Sequence, residues 1–199
     1  MLPNFGTSIA LWRAARTGVL AHTVVPSEID GRTRASVLIP LVRFNDEPHV
    51  VLTVRSFDVE HHKGEVSFPG GVADFHDVDL CMTALRETEE EIGISPGDVE
   101  VLGELSHQVT RTGFHITPYI GMIGRIPCKF LKNPTEVERV LEVPISHLLD
   151  PANSTDHVLN RDGQVILARS YSWDGVQIFG VTASILQSFL DEVVVQLGI

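Results

Sequence analysis

The chain has 199 residues, 43% hydrophobic and 21% charged, which excludes a disordered or fibrous protein and suits one decorated domain or two small ones. Lys and Arg total 15 against 26 Asp and Glu, a formal net charge of −11. That acidity excludes a general nucleic-acid binder, and any phosphate-bearing ligand must be met by local cations or by bound metal.

Residues 1–27 hold Arg13 and Arg16 but no acid. They have the flavour of a transit peptide, but a short helix packed through Ile9, Trp12 and Val19 is the favoured reading. Residues 21–34 are a polar connector. The boundary is set here: residues 1–33 as an N-terminal extension with a short helix, residues 34–199 as the domain. Ala35–Val42 reads as a buried strand that Pro40 demotes towards an edge or bulge. Asn45-Asp46-Glu47-Pro48 is a turn signal, and His49–Arg55 is a second, β-branched strand, so the two form a hairpin.

Residues 56–79 read as irregular. Residues 80–92 read as a helix, with Asp79 as N-cap and Gly93 where a C-terminal glycine belongs. Val99–Leu105 and Phe114–Ile123 are strand candidates, the latter weakened at its centre by Pro118. Asn133-Pro134 opens another element, and Pro144 starts a short helix reaching Leu149. Gln164–Ser172 and Val176–Phe179 flank Trp173-Asp174-Gly175, a hairpin turn. A last helix from about Val181 to Leu197 carries the stripe Val181, Ile185, Leu186, Phe189, Val193 and Leu197. There is no internal repeat, and no apolar run approaches the ~18 residues of a membrane span. Strands and helices are interspersed, which predicts an α/β fold with a mixed sheet and helices packed on it. Cys81 and Cys128 are too few for a disulfide framework and read as buried thiols. Trp12 and Trp173 read as structural.

The segment Phe68–Ile94 is the richest in chemistry. On a helix at about 100° per residue, Glu87, Glu90 and Glu91 share an arc of roughly 100°, Glu89 points away, and Cys81, Leu85, Thr88 and Ile92 make the core face. Carboxylates at i, i+3 and i+4 repel. A hard divalent cation relieves that repulsion and can also hold phosphate oxygens. A solvated acidic face is the competing reading; the glycines upstream and Arg86 at the base of the run favour the cation. The spacing of His61, His62, His107 and His115 suits no zinc site.

This segment resembles the Nudix box, G-x5-E-x7-R-E-U-x-E-E-x-G-U. Arg86-Glu87-Thr88-Glu89-Glu90-Glu91-Ile92-Gly93-Ile94 matches its second half, with Thr88 where a bulky aliphatic is usual. Gly71 stands one residue further from Arg86 than the general pattern has it, and Asp74, Asp77 and Asp79 occupy a loop without Glu. The spacing is similar to the coenzyme A pyrophosphatase branch, approximately L-L-T-x-R-[SA]-x3-R-x3-G-x3-F-P-G-G upstream. Val51-Leu52-Thr53-Val54-Arg55-Ser56, Gly64 and Phe68-Pro69-Gly70-Gly71 match it; Glu60 replaces its second Arg, and Lys63 is a nearby substitute. Gly113–Pro118 and Phe179–Ala183 also resemble this branch, so the likeness spans about residues 35–190.

The resemblance implies an α/β/α sandwich around a mixed sheet and a hydrolase acting on a nucleoside diphosphate linked to another group. The implied metal ligands are Glu87, Glu90 and Glu91, for Mg²⁺ or Mn²⁺. Arg86 would orient Glu90, and Gly70 and Gly71 would shape the loop, with Arg55 and Lys63 on substrate phosphates. Glu136 would be an extra ligand or the base, with a surface acid the even alternative and Glu138 and Glu142 weaker candidates. The implied reaction splits coenzyme A or acyl-CoA into 3′,5′-ADP and (acyl-)4′-phosphopantetheine. Other Nudix substrates (ADP-ribose, a dinucleotide, an oxidised nucleotide) are the first alternative, a non-catalytic sensor the second. The expected partner is a small CoA-like nucleotide, with no nucleic acid and no membrane; a homodimer is left open. Cytoplasmic residence is expected, with an organelle left open.

Overall fold

The computed structural model describes residues 28–45, 47–58, 63–124, 130–161 and 164–197. In chain order its elements are β1 (Glu28–Ile29), β2 (Arg32–Phe44), β3 (Glu47–Arg55), β4 (Val66–Ser67), β5 (Gly70–Val72), α1 (Leu80–Ile92), β6 (Val99–Glu104), β7 (Gln108–Val109), β8 (Phe114–Ile123), β9 (Val137–Pro144), α2 (Ile145–Leu149), β10 (Ser154–Arg161), β11 (Gln164–Trp173), β12 (Val176–Ile178) and α3 (Gly180–Leu197). The expected N-terminal helix, Cys128, His61, His62 and Glu60 lie outside the described residues.

The main sheet runs β4-β3-β2-β8-β6, with β1 and β5 added to β2, β7 to β8 and β9 to β3. β2 and β8 are parallel and the other pairs in it antiparallel, so the sheet is mixed. Period-two alternation sends successive side chains to opposite faces. Leu38 and Tyr119 pack with Leu80, Cys81, Ala84 and Leu85 of α1, and Val42, Val51 and Ile123 with Ile92. Ile39, Leu41, Val50, Leu52 and Ile120 share the opposite core with Ile185, Leu186 and Phe189 of α3. A helix on each face of a mixed sheet is the α/β/α sandwich. β10, β11 and β12 form a separate antiparallel sheet that leans on α3 through Tyr171, whose hydroxyl donates to Gln187 Oε1 at 2.7 Å.

Two prolines read as weakening their strands sit in its centre. β2 is 13 residues long and paired on both sides, not an edge strand over 35–42. The Leu38 amide donates to the Pro69 carbonyl at 2.9 Å, so Pro40, two residues on, turns its missing donor to the same side. There the partner changes from β5, paired with 35–37, to β3, paired with 41–44. Pro118 repeats the device in β8. Its carbonyl accepts from Leu105 at 2.8 Å, where β7 gives way to β6. In both places the proline occupies the one slot where no ladder bond is lost. The stretch read as irregular, 56–79, contains β4 and β5, and the two-residue and three-residue lengths of these strands hide them from any periodicity.

The ends of α1 are as the sequence predicts. The Asp79 carboxylate accepts from the Met82 amide at 2.8 Å, and Gly93 closes the helix in the left-handed region (φ 73°). A Cβ on Gly93 would lie 2.6 Å from Leu131 Cβ. Gly93→Ala is therefore expected to cost more than the ~1 kcal/mol of the left-handed conformation alone, seen as a lowered denaturation midpoint with unchanged slope. Thr88 is fully buried, and its hydroxyl donates to the Ala84 carbonyl at 2.7 Å, which is how a polar residue fills an aliphatic place.

Candidate active site

Only one turn of α1 is needed to assemble the acids. Glu91 is buried, Glu87 is half-buried and Glu90 is exposed, so the shared arc spans the helix's passage from core to solvent. Arg86 is the hub. Its Nη1 donates to Glu87 Oε1 at 2.8 Å and to Glu90 Oε2 at 3.1 Å. Its Nε and Nη2 donate to the two oxygens of Asp77, each at 3.1 Å, and Nη2 also reaches the Val72 carbonyl at 3.2 Å. These bonds, Asp77 first, hold the guanidinium pKa above its ordinary value.

The sequence pattern does not single out Asp77, although the structure makes it the anchor of Arg86. It lies on the loop where the general box has Glu, and it is almost fully buried. Besides the guanidinium, Asp77 Oδ2 accepts from the Asp74 amide and from Thr83 Oγ1, both at 2.8 Å. Burial alone would raise its pKa; the Arg86, Asp74 and Thr83 hydrogen bonds outweigh that and leave it lowered. Its signal in the sequence was only a third acid among Asp74, Asp77 and Asp79, nine residues before Arg86.

The glycines act through close approach. A Cβ on Gly70 would lie 2.4 Å from the Ser36 carbonyl oxygen, so β5 can lie against β2 only with glycine there. A Cβ on Gly71 would lie 2.5 Å from the Glu87 carboxyl carbon and Oε1. Gly71→Ala is expected to push Glu87 aside and lower kcat by about 10²-fold, the usual scale for a misplacement of ~1 Å, with circular dichroism unchanged.

Glu91 is the most perturbed acid. Its Oε2 is buried without a hydrogen-bond partner. Burial pushes its pKa up to about 8; Glu87 and Glu136 add to the rise, while Arg55 and the Gly70 amide oppose it. Burial likewise raises Glu87, against the pull of Arg86 and with Glu90 and Glu136 adding. Arg55 thus acts on Glu91, and Glu136 on both acids. Alternation along β3 turns Arg55 to the α1 side with Val51. Arg55 Nε is also buried and unpartnered.

Glu136 arrives through the backbone. The Asn133 amide donates to the Glu91 carbonyl at 2.9 Å and the Ser56 amide to the Glu136 carbonyl at 2.8 Å, tying the 133–137 turn to α1 and to the end of β3. Asn133 Oδ1 accepts from the Thr135 amide and hydroxyl, which fixes that turn. Glu138 is exposed, and Glu142 lies opposite Val51, four residues along β3 from Arg55, so neither joins the group. Lys63 is exposed on its turn and forms no ion pair with these acids among the described residues.

Among the described residues no three His, Cys, Asp or Glu side chains already stand close enough to hold an ion. Arg86 occupies Glu87 and Glu90 instead. The donor set nonetheless fits a hard divalent cation: all oxygen, several carboxylates, and one buried oxygen of Glu91 with an open lone pair. Because Asp77 grips Arg86 at two other nitrogens, Glu87 and Glu90 can turn towards an ion while the guanidinium stays in place. Trp173 packs edge-on against His147, ring centroids 4.5 Å apart, away from these acids.

The NUDIX domain family matches residues 32–158. An uncharacterized Nudix hydrolase NudL of Photorhabdus laumondii is 36% identical over 164 residues, covering 82% of this chain and 87% of its own. A NudL of Yersinia pestis, likewise termed an uncharacterized Nudix hydrolase, is 39% identical over 163 residues, covering 80% of this chain and 79% of its own. Among solved structures, a MutT/nudix family protein from Enterococcus faecalis superposes with a TM-score of 0.56 at 17% identity, covering 95% of this chain and 74% of that one. At that identity the likeness speaks for the fold alone. The family match over more than half the chain and the two NudL relatives make the assignment: this chain belongs to the Nudix family.

Proposed function

We propose that this Nudix hydrolase cleaves the pyrophosphate of coenzyme A or an acyl-CoA, giving 3′,5′-ADP and (acyl-)4′-phosphopantetheine. The observation that supports the reading is that Glu91 and Arg55, both on the α1 side of the sheet, each keep one buried polar atom without a hydrogen-bond partner. The first is a box acid with a buried open oxygen, the second the arginine of the upstream CoA-type signature with a buried open nitrogen.

Glu87, Glu90 and Glu91 would hold Mg²⁺ or Mn²⁺. Such an ion supplies neutralisation of the pyrophosphate oxygens and a lowered pKa for bound water. The rest falls to the chain. Arg86, fixed by Asp77, sets the directions of Glu87 and Glu90. Arg55 offers its guanidinium to a substrate phosphate, with Lys63 at the rim. Glu136 is an extra ligand or takes the proton of the attacking water. The water oxygen bonds to one phosphorus as the bridging P–O bond breaks, and the bridging oxygen leaves on the other phosphate. Burial pushes the Cys81 thiol up to about 11, so it stays protonated and takes no part in the chemistry.

Phosphorus NMR of coenzyme A with enzyme, with and without Mg²⁺, tests the reading. The expected result is metal-dependent replacement of the pyrophosphate signals by two monoester signals. Faster cleavage of ADP-ribose, with no preference for a 3′-phosphate, would assign the site to another Nudix substrate.

A further inference from the structure

On the α1 side of the sheet, β2 and β8 carry a basic group that the chemistry above does not use. Arg34 of β2 stands opposite His115 of β8 in the parallel register. Leu38 and Tyr119, each four residues further along, pack against α1, so alternation puts Arg34 and His115 on that same face. The ring of His107 stacks on that of His115, centroids 4.4 Å apart and planes 24° from parallel. Arg34 Nε and His115 Nδ1 are both buried and both lack a hydrogen-bond partner. Among the described residues neither Arg34 nor Arg32 forms an ion pair with an acid.

In a chain of net charge −11 this is an unusual gathering. The charged groups acting on His115 are His107, Arg34 and Arg32, all basic; burial, chiefly, and these neighbours hold its pKa below the ordinary histidine value. A buried polar atom left without a partner is destabilising. One anion would accept from Arg34 Nε and, in the tautomer that carries its proton on Nδ1, from His115. The group also lies close to the acids. The Ala73 amide donates to the Arg34 carbonyl at 3.0 Å, and the preceding carbonyl, Val72, accepts from Arg86 at 3.2 Å. One strand across and two residues along separates Arg34 from Gly71, roughly 8 Å between backbones. That span suits two phosphates of one nucleotide.

We propose that Arg34, His115 and His107 form a second anion subsite, which takes a phosphate monoester of the substrate remote from the bridge that is cut. Its identification with the 3′-phosphate of the ADP moiety rests on the coenzyme A reading. Calorimetry of the full chain with 3′,5′-ADP and with 5′-AMP tests it. Wild type is expected to bind 3′,5′-ADP at least about tenfold more tightly, and Arg34→Gln to reduce the ratio below about threefold, its melting temperature serving as the check on folding. Should that variant not fold, the wild-type histidine ring signals decide. 3′,5′-ADP should shift those of His107 and His115, and AMP should not. Equal affinity for the two nucleotides, an unchanged ratio in a folded Arg34→Gln, or unmoved histidine signals would overturn the subsite. The two proposals fail separately. Cleavage of coenzyme A without this selectivity keeps the activity and removes the subsite; selectivity through Arg34 without cleavage does the reverse.

Discussion

Glu91→Gln is expected to give a chain that melts higher than wild type in the absence of metal and turns over at least about 10²-fold more slowly. The two effects have one cause. In the folded chain the Glu91 carboxyl titrates at about 8, against 4.5 for an unperturbed glutamate. The folded state therefore holds this proton more tightly than the unfolded state. The resulting stabilisation is complete below about pH 4.5 and is lost as pH rises through about 8. Glutamine keeps the shape and removes the titration, so metal-free melts in EDTA should fall between pH 5 and 8 in wild type and stay flatter in the variant. Each 1 kcal/mol recovered raises Tm by about 2–4 °C for a chain of this size. Mg²⁺ should restore wild-type stability and add little to Glu91→Gln. Equal metal-free melts for the two chains at pH 8 would mean that the carboxylate is not held at a cost.

Asp77→Asn is expected to lose about 10²-fold in kcat with KM little changed, although Asp77 touches none of the box glutamates. Asparagine has one oxygen where the carboxylate offers two. Its NH₂ must face Arg86 in either orientation, and in one of them the Asp74 amide as well, donor against donor. Arg86 then loses its two-point anchor, and with it the fixed direction of Glu87 and Glu90. Folding stability should fall by about 3 kcal/mol, the low end for breaking a buried pair because Glu87 and Glu90 still meet the guanidinium. Because the folded Asp77 pKa lies below the ordinary 3.8, its contribution is present above that value and is lost as pH falls through the folded pKa. The wild-type excess in stability should therefore fade in the acid limb of a pH–stability profile. A wild-type kcat in the variant would show that Arg86 needs no anchor.

What was legible in the sequence was local. Asp79 and Gly93 mark the ends of α1 through capping chemistry that needs no tertiary information, and the 3.6-residue period places Glu87, Glu90 and Glu91 on one arc while turning Glu89 away. The β2–β3 hairpin and the Asp174-Gly175 turn, both residues at positive φ, follow from turn residues in the same way. Features that depend on a distant partner were hidden. Pro40 and Pro118 look like strand breakers until the neighbouring ladders are seen to change partners beside them. β10 carries Thr155, Asp156 and His157, all exposed, so no apolar alternation announces it. The anchoring by Asp77 depends on where the 72–79 loop crosses α1, which spacing alone does not give. Glu136 follows only from the family resemblance; the Asn133–Glu91 and Ser56–Glu136 backbone bonds, which tie its turn to α1 and to the end of β3, have no signal in the sequence.

On the proposed function, Glu87, Glu90 and Glu91 together hold divalent ions. Anomalous diffraction from crystals soaked in Mn²⁺, at a wavelength near the manganese edge, measures this most directly. The expected result is a peak within coordination distance of all three carboxylates, with Glu87 and Glu90 turned off Arg86 and Arg86 still on Asp77. Full-occupancy manganese elsewhere, with Glu87 and Glu90 still paired to Arg86 and no density at Glu91 Oε2, would contradict it.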